Sequence, residues 1–229
     1  MSTTRYPSGV TNVTQENTLG FMGQLDPSKF HTYFNDFDTY VPADWVVTAV
    51  GTGTTALITG DGGLLSVVTS AAAPDSRAAQ LVPASFTFTL GRRMFFKIAC
   101  SVSNATLSVF QAGLIVADTT PNDATDGIYF LKPAGTANIG IFARRDATTG
   151  NLSNLNVGTL VAAAMTTFGW AYDGKDQVSF FINDRQVGSL AITGVNSPDT
   201  DLTVSFFLGN GDAVARTLNV DYILAAKER

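Results

Sequence analysis

From Phe30 onward the chain alternates apolar and polar residues with a period of two, in short runs closed by Gly, Asn, Asp, Thr or Pro. That period belongs to β-strands, whose successive side chains face opposite ways. "RRMFFKIACSV" sets Phe96, Ile98, Cys100 and Val102 on one face and Lys97 and Ser101 on the other. "NIGIFAR" groups Ile139 with Ile141, and "SFTFTL" groups Phe86, Phe88 and Leu90. "YFNDFDTYV" predicts a strand with Phe34, Asp36, Asp38 and Tyr40 opposite Asn35, Phe37 and Thr39. "RTLNVDYILAA" closes the series, with Leu218, Val220, Tyr222 and Leu224 against Asn219, Asp221 and Ile223. "RDATTGNLSNLN" reads as a polar loop; "VGTLVAAAMTTF" admits a helical turn, with a strand favoured from Phe168. About fourteen strand candidates and no strong amphipathic helix predict an all-β fold, an antiparallel two-sheet jelly-roll sandwich.

The run "QVSFFINDRQVGSL" shows how the turns are encoded. Val178, Phe180 and Ile182 lead into Asn183-Asp184, and Val187 and Leu190 lie on the return. Asn and Asp tolerate the positive φ that a two-residue hairpin demands, so Asp184 is read as a turn residue before it is read as a catalytic one. Asp173-Gly174 supplies a second turn just upstream.

Residues 1–30 have a different texture, rich in Ser, Thr, Asn, Gln and Gly with no sustained period. Tyr6, Pro7, Val10, Leu19, Phe21 and Met22 are many apolar groups for a solvating tail. The expectation is an extended N-terminal arm (1–30) that orders on a neighbouring surface, followed by a β-sandwich domain (31–229).

Composition narrows the function. The 229 residues are 45% hydrophobic and 14% charged, with a net charge of −5. Arg92-Arg93 and Arg144-Arg145 are the only basic doublets, so the basic stripe of a nucleic-acid-binding surface is missing and no nucleic-acid partner is expected. The start "MSTTRYPSGV" lacks the apolar region of a secretory signal, and no apolar run is long enough for a membrane span. Synthesis in a host cytoplasm is expected. Cys100, the single cysteine, precludes an intrachain disulfide and reads as a small buried hydrophobe.

The succession "TTFGWAYDGKDQVSFFINDRQVGSLAI", closed by "LNVDYILAAKER", resembles the later strands of concanavalin A-like and laminin-G-like jelly rolls, over roughly residues 34–226 in pattern. Asn183-Asp184 stands where that family usually has Asn-Gly. The resemblance implies that the closing strand, with Val220, Tyr222 and Leu224 pointing one way, returns to the middle of the sandwich. "RYPSGVTN", "FNDFDTY" and "VDYILAAKER" also resemble virion structural proteins of tailed bacteriophages that carry this fold, head-decoration proteins in particular. That likeness implies a protein on the outside of an icosahedral head.

The same sandwich hosts glucanases, which place glutamates on one strand in an E-x-D-x-x-E arrangement. Here the two glutamates, Glu16 and Glu228, lie in the arm and at the chain end. Asp36 and Asp38 could imitate the carboxyl pair of a retaining glycosidase but read as solvent-facing residues. His31, the single histidine, has no G-x-S-x-G partner, and one His with one Cys cannot build a zinc site. "GTGTTALITGDGG" lacks the Gly-Lys-Ser/Thr ending of a P-loop and reads as loops around a strand. "DTTPNDATDG" gathers Asp118, Asn122, Asp123 and Asp126 as weak calcium candidates, against a solvated turn.

The expectation is therefore no enzyme and no cofactor, but a viral structural protein. It would be a capsid decoration protein on the virion head surface, binding the major capsid protein and neighbouring copies of itself as a homo-oligomer. Arg5, Tyr6, Pro7, Val10, Leu19 and Phe21 are the expected capsid contacts. The alternative is a carbohydrate-binding module using Tyr129, Trp170 or Tyr172, or a tail or fibre component; the sequence does not separate head from tail.

Overall fold

The computed structural model describes residues 28–146 and 151–229. The described residues form sixteen strands: β1 (Phe30–Asn35), β2 (Trp45–Val50), β3 (Thr54–Ile58), β4 (Leu64–Val68), β5 (Ser76–Leu81), β6 (Phe86–Thr87), β7 (Met94–Val102), β8 (Ser108–Val116), β9 (Gly127–Lys132), β10 (Asn138–Arg144), β11 (Leu152–Thr159), β12 (Thr166–Tyr172), β13 (Gln177–Ile182), β14 (Arg185–Ala191), β15 (Asp201–Asn210) and β16 (Thr217–Glu228). Sheet I runs β14-β13-β12-β7-β16-β4-β3, with β1 beside β16; sheet II runs β11-β10-β9-β8-β15-β5-β2, with β6 beside β15. Every described pairing is antiparallel. The all-β, two-sheet jelly-roll expectation holds.

The core is what the period-two pattern implies. Phe96, Ile98, Cys100 and Val102 of β7 meet Phe110, Ala112 and Leu114 of β8, with Phe168, Trp170 and Tyr172 of β12 alongside. The Phe130 ring lies 5.4 Å from Phe168 and 5.3 Å from Phe180, so aromatics from both sheets interlock. Burial also pushes the Cys100 thiol up, which keeps it protonated and inert.

The hairpin expectation holds in detail. Asn183 and Asp184 have φ of 51° and 59°, the conformation a type I′ turn requires, and the Asn183 amide oxygen accepts the Thr167 N–H at 3.0 Å. Asp184 also faces Lys97 Nζ at 2.8 Å, across the outer face of sheet I. At the upstream turn the Asp173 carboxylate accepts the N–H groups of Lys175 and Asp176, and Gly174 takes φ of 81°.

Four expectations need correction. "YFNDFDTYV" is strand only to Asn35: the Asn35 side chain accepts the Phe37 N–H at 2.8 Å, and Phe37 turns to φ of 55° to bury its ring completely. Gly63 (φ 88°) makes room for that turn, because a Cβ there would sit 2.2 Å from the Phe37 carbonyl oxygen. In β16 the alternation breaks at a bulge between Val220 and Tyr222. Leu218 and Val220 point inward, but so do Ile223 and Ala225, which leaves Tyr222 and Leu224 outside. Leu90 does not join Phe86 and Phe88, being 46% exposed. Residues 152–156 of the supposed polar loop form the first half of β11, an edge strand whose polar side chains face water while β10 satisfies its backbone.

Candidate functional site

Arg5, Tyr6, Pro7, Val10, Leu19 and Phe21 lie outside the described residues. Tyr129, Trp170 and Tyr172 are fully buried, so none offers a ring face to a sugar. Trp170 stacks on Phe96 at 6.2 Å inside the sandwich, and Tyr172 donates its hydroxyl to the Lys175 carbonyl at 2.8 Å. Tyr129 is buried on the outer face of sheet II, where the Arg144 guanidinium lies 5.9 Å from its ring centroid. The expectation of an aromatic platform from these three residues is thereby corrected. They carry apolar bulk, which strand patterning does not distinguish from a display position.

Asp36 and Asp38 flank the Phe37 turn and share no strand face. Asp36 is instead close enough to Asp221 to raise its carboxyl, after burial and together with Asp61. Glu228 is engaged by Arg93, whose Nη2 lies 3.3 Å from Oε1 and whose backbone N–H donates at 3.1 Å.

The four calcium candidates do not converge. Asp118 folds back on the Thr120 N–H, Asn122 is exposed, and Asp123 lies 3.9 Å from Arg144. Asp126 alone joins a cluster, and its companions come from elsewhere: Asp146 after β10 and Asp199 before β15, with one carboxylate oxygen of each within 4.8 Å of the others. Two oxygens on one calcium ion, each at about 2.4 Å, can be that far apart. Asp126 is 2% exposed and its Oδ1 has no hydrogen-bond partner. Burial pushes its carboxyl up, offset in part by hydrogen bonding from Thr125 and from the Asp199 and Asp146 backbone. Arg145 supplies a cation of its own, 2.7 Å from Asp199 and 3.9 Å from Asp146, and competes with any ion for two of the three carboxylates. Sequence spacing could not find this cluster, because its members are scattered over three loops.

A second set of groups was also missed. His31 on β1 lies at the junction of two connected depressions. One, of about 480 Å³, is lined by Tyr33, Leu81, Val82 and Pro83; the other, of about 330 Å³, by Arg92, Lys227 and Arg229. His31 Nε2 sits 3.2 Å from Ser85 Oγ, and its ring packs 4.9 Å from Phe86. Burial first, then Arg229 and Lys227, hold the imidazole below its ordinary value. The Arg92-Arg93 doublet was the available signal. Its two members divide: Arg93 takes Glu228, and Arg92 faces the groove.

The edges of β2 and β3, which no further strand pairs among the described residues, complete the inventory. "WVVTAV" and "TTALI" end sheets II and I on the same side of the sandwich and contain no charged residue. Val46 (52%), Val50 (53%), Leu57 (41%) and Ile58 (42%) are exposed along them, and Arg77 bridges the sheets there by donating to Thr55 Oγ1 at 3.0 Å.

No family model and no curated protein sequence matches the chain. Solved structures do match in fold. An endo-1,3-β-glucanase from Streptomyces sioyaensis superposes with a TM-score of 0.63 at 12% identity, over 89% of this chain and 98% of that one. A Bacillus licheniformis β-glucanase gives 0.60 at 10% identity, over 85% and 97%. The carbohydrate recognition domain of Emp47p gives 0.57 at 13% identity, over 89% and 99%. The fold is thus a jelly-roll sandwich similar to those of these glucanases and this carbohydrate recognition domain. At these identities the likeness describes the fold and leaves function to the site.

Proposed function

We propose that the protein is a non-catalytic adhesive module, a capsid decoration protein on the outside of a tailed-bacteriophage head that stabilises the shell by binding across subunits of the major capsid protein. The observation that carries this reading is the pair of uncharged, apolar edge strands β2 and β3. Proteins that stay alone guard such edges with lysines, prolines or bulges, because free strand edges recruit other chains. An edge that exposes Val46, Val50, Leu57 and Ile58 suits a module covered in its working state. Many copies binding only the assembled shell would stabilise it by linkage. Arg5, Tyr6, Pro7, Val10, Leu19 and Phe21 remain the proposed additional contacts.

The test is occupancy on native heads, read by electron microscopy after adding purified protein to particles that lack it. Wild-type protein is expected to decorate the lattice. Leu57→Lys is expected to leave it bare while unfolding at the wild-type temperature. Undiminished decoration by the variant would remove the edge from the account, and failure of the wild type to bind would remove the capsid.

Carbohydrate binding is the second reading, supported by the fold's likeness to a carbohydrate recognition domain. Glycan-array binding would favour it, and the contacts would have to be other than Tyr129, Trp170 and Tyr172.

A further inference from the structure

We propose that the groove between β1 and the β5–β6 segment receives an extended, acidic segment of a partner protein, added to sheet I as a further strand. It deepens the adhesive reading, resting on it only in taking the partner to be a protein.

The backbone comes first. β1 pairs with β16 on one side, and among the described residues no strand pairs with its other side. The Arg229 N–H donates to the Lys29 carbonyl at 2.8 Å, which makes that pair the hydrogen-bonded kind. By antiparallel alternation His31, Tyr33 and Asn35 also face β16, while Phe30, Thr32 and Phe34 turn their N–H and C=O groups outward. Thr32 is exposed and lines the groove wall. An incoming extended chain would find its peptide groups there, as in strand addition to an open sheet edge.

Side chains then select the segment. In the basic half Glu228 is the carboxylate among the lining residues, and Arg93 already binds it. Arg92, Lys227 and Arg229 make no ion pair among the described residues. Three cations beside an open edge call for carboxylates. The other half offers Leu81, Val82 and Pro83, with Val82 54% exposed, and also carries Asp44, so it suits an apolar side chain and disfavours an acidic one. The ligand is therefore a strand with glutamates or aspartates at one end and an apolar residue a few positions away.

The probe is a short fluorescent peptide of alternating valine and threonine that ends in several glutamates, titrated into the full chain. Saturable binding is expected, weakened about tenfold or more by Arg92→Glu with Lys227→Glu, and weakened again by Val82→Asp. Amide exchange read on the unmodified protein keeps the proposal testable should a variant misfold: the Thr32 N–H should exchange fast alone and slow with peptide. Equal affinity for the charge-reversed protein would overturn the proposal, and so would equal competition by inorganic phosphate. A Thr32 amide protected before peptide is added would also overturn it, since the edge would then be filled by this chain or a second copy.

Discussion

The two ends of the sandwich handle polar groups in opposite ways. At the end where β9 and β15 finish and β16 begins, buried polar groups pair with one another. Thr69 donates to the Asn210 side chain at 2.5 Å, Asn210 donates to the Ser70 and Ala72 carbonyls at 2.7 and 3.1 Å, and Arg216 meets Asp212 at 2.5 Å. Lys132, fully buried, donates to the Ala105 and Thr106 carbonyls at 2.9 and 3.1 Å. Arg216 Nε and Asp75 Oδ1 are left over there. At the other end, where β1 and β15 begin and β16 finishes, Asp126 keeps an unpartnered oxygen and Arg92, Lys227 and Arg229 stand without ion pairs among the described residues. Polar groups that complete each other hold a fold together. Those left incomplete at an accessible rim are where a second molecule gains most by binding.

The largest effect expected from this contrast belongs to Lys132. Burial, and secondarily Arg216, lowers its ammonium from 10.5 to about 8. Between those values the unfolded chain binds more protons than the folded one, so stability rises with pH, by about 3 kcal/mol over the whole window; below pH 8 the contribution is flat. Cys100 and Tyr129, both raised by burial, act in the opposite sense at higher pH. The quantity to measure is therefore the difference between wild type and Lys132→Met in denaturant melts from pH 7 to 10. A difference that stays constant with pH would refute the assignment.

Asn210→Ala comes next. It strips partners from Thr69 and from two carbonyls, and should cost about 2–3 kcal/mol in urea unfolding at pH 7. A loss under about 0.5 kcal/mol would mean that the closed end is not held by its network. Asp126→Asn should instead stabilise by about 1 kcal/mol, because burial disfavours the charged carboxylate and its Oδ1 has no hydrogen-bond partner. If calcium enters the cluster, millimolar calcium raises the melting temperature of the wild type and not of this variant. The smallest effect is expected for Arg92→Glu with Lys227→Glu, whose melting temperature should match the wild type. A marked drop would make these residues structural and erase the contrast between the ends.

Much of the body was legible because its information is local. Phe96, Ile98, Cys100 and Val102 announce a face by spacing alone, and Asn183-Asp184 announces a turn by backbone chemistry. The bulge at Val220–Tyr222 was not legible, because either face of the remaining segment could have been buried. The rim was less so. Asp126, Asp146 and Asp199 are brought together by three loops, and Arg92 meets Lys227 through strand pairings remote in sequence. Tyr129, Trp170 and Tyr172 show the same limit from the other side, since composition cannot tell an aromatic that fills a core from one that displays its face.

The position of β16 has a consequence for biosynthesis. This strand lies at the centre of sheet I and contacts β7 along one flank and both β4 and β1 along the other. A ribosome that has delivered everything up to Arg216 has therefore made two halves of a sheet with an empty lane between them. Sheet I cannot close until Thr217–Glu228 has emerged, and until then the nascent chain carries bare strand edges.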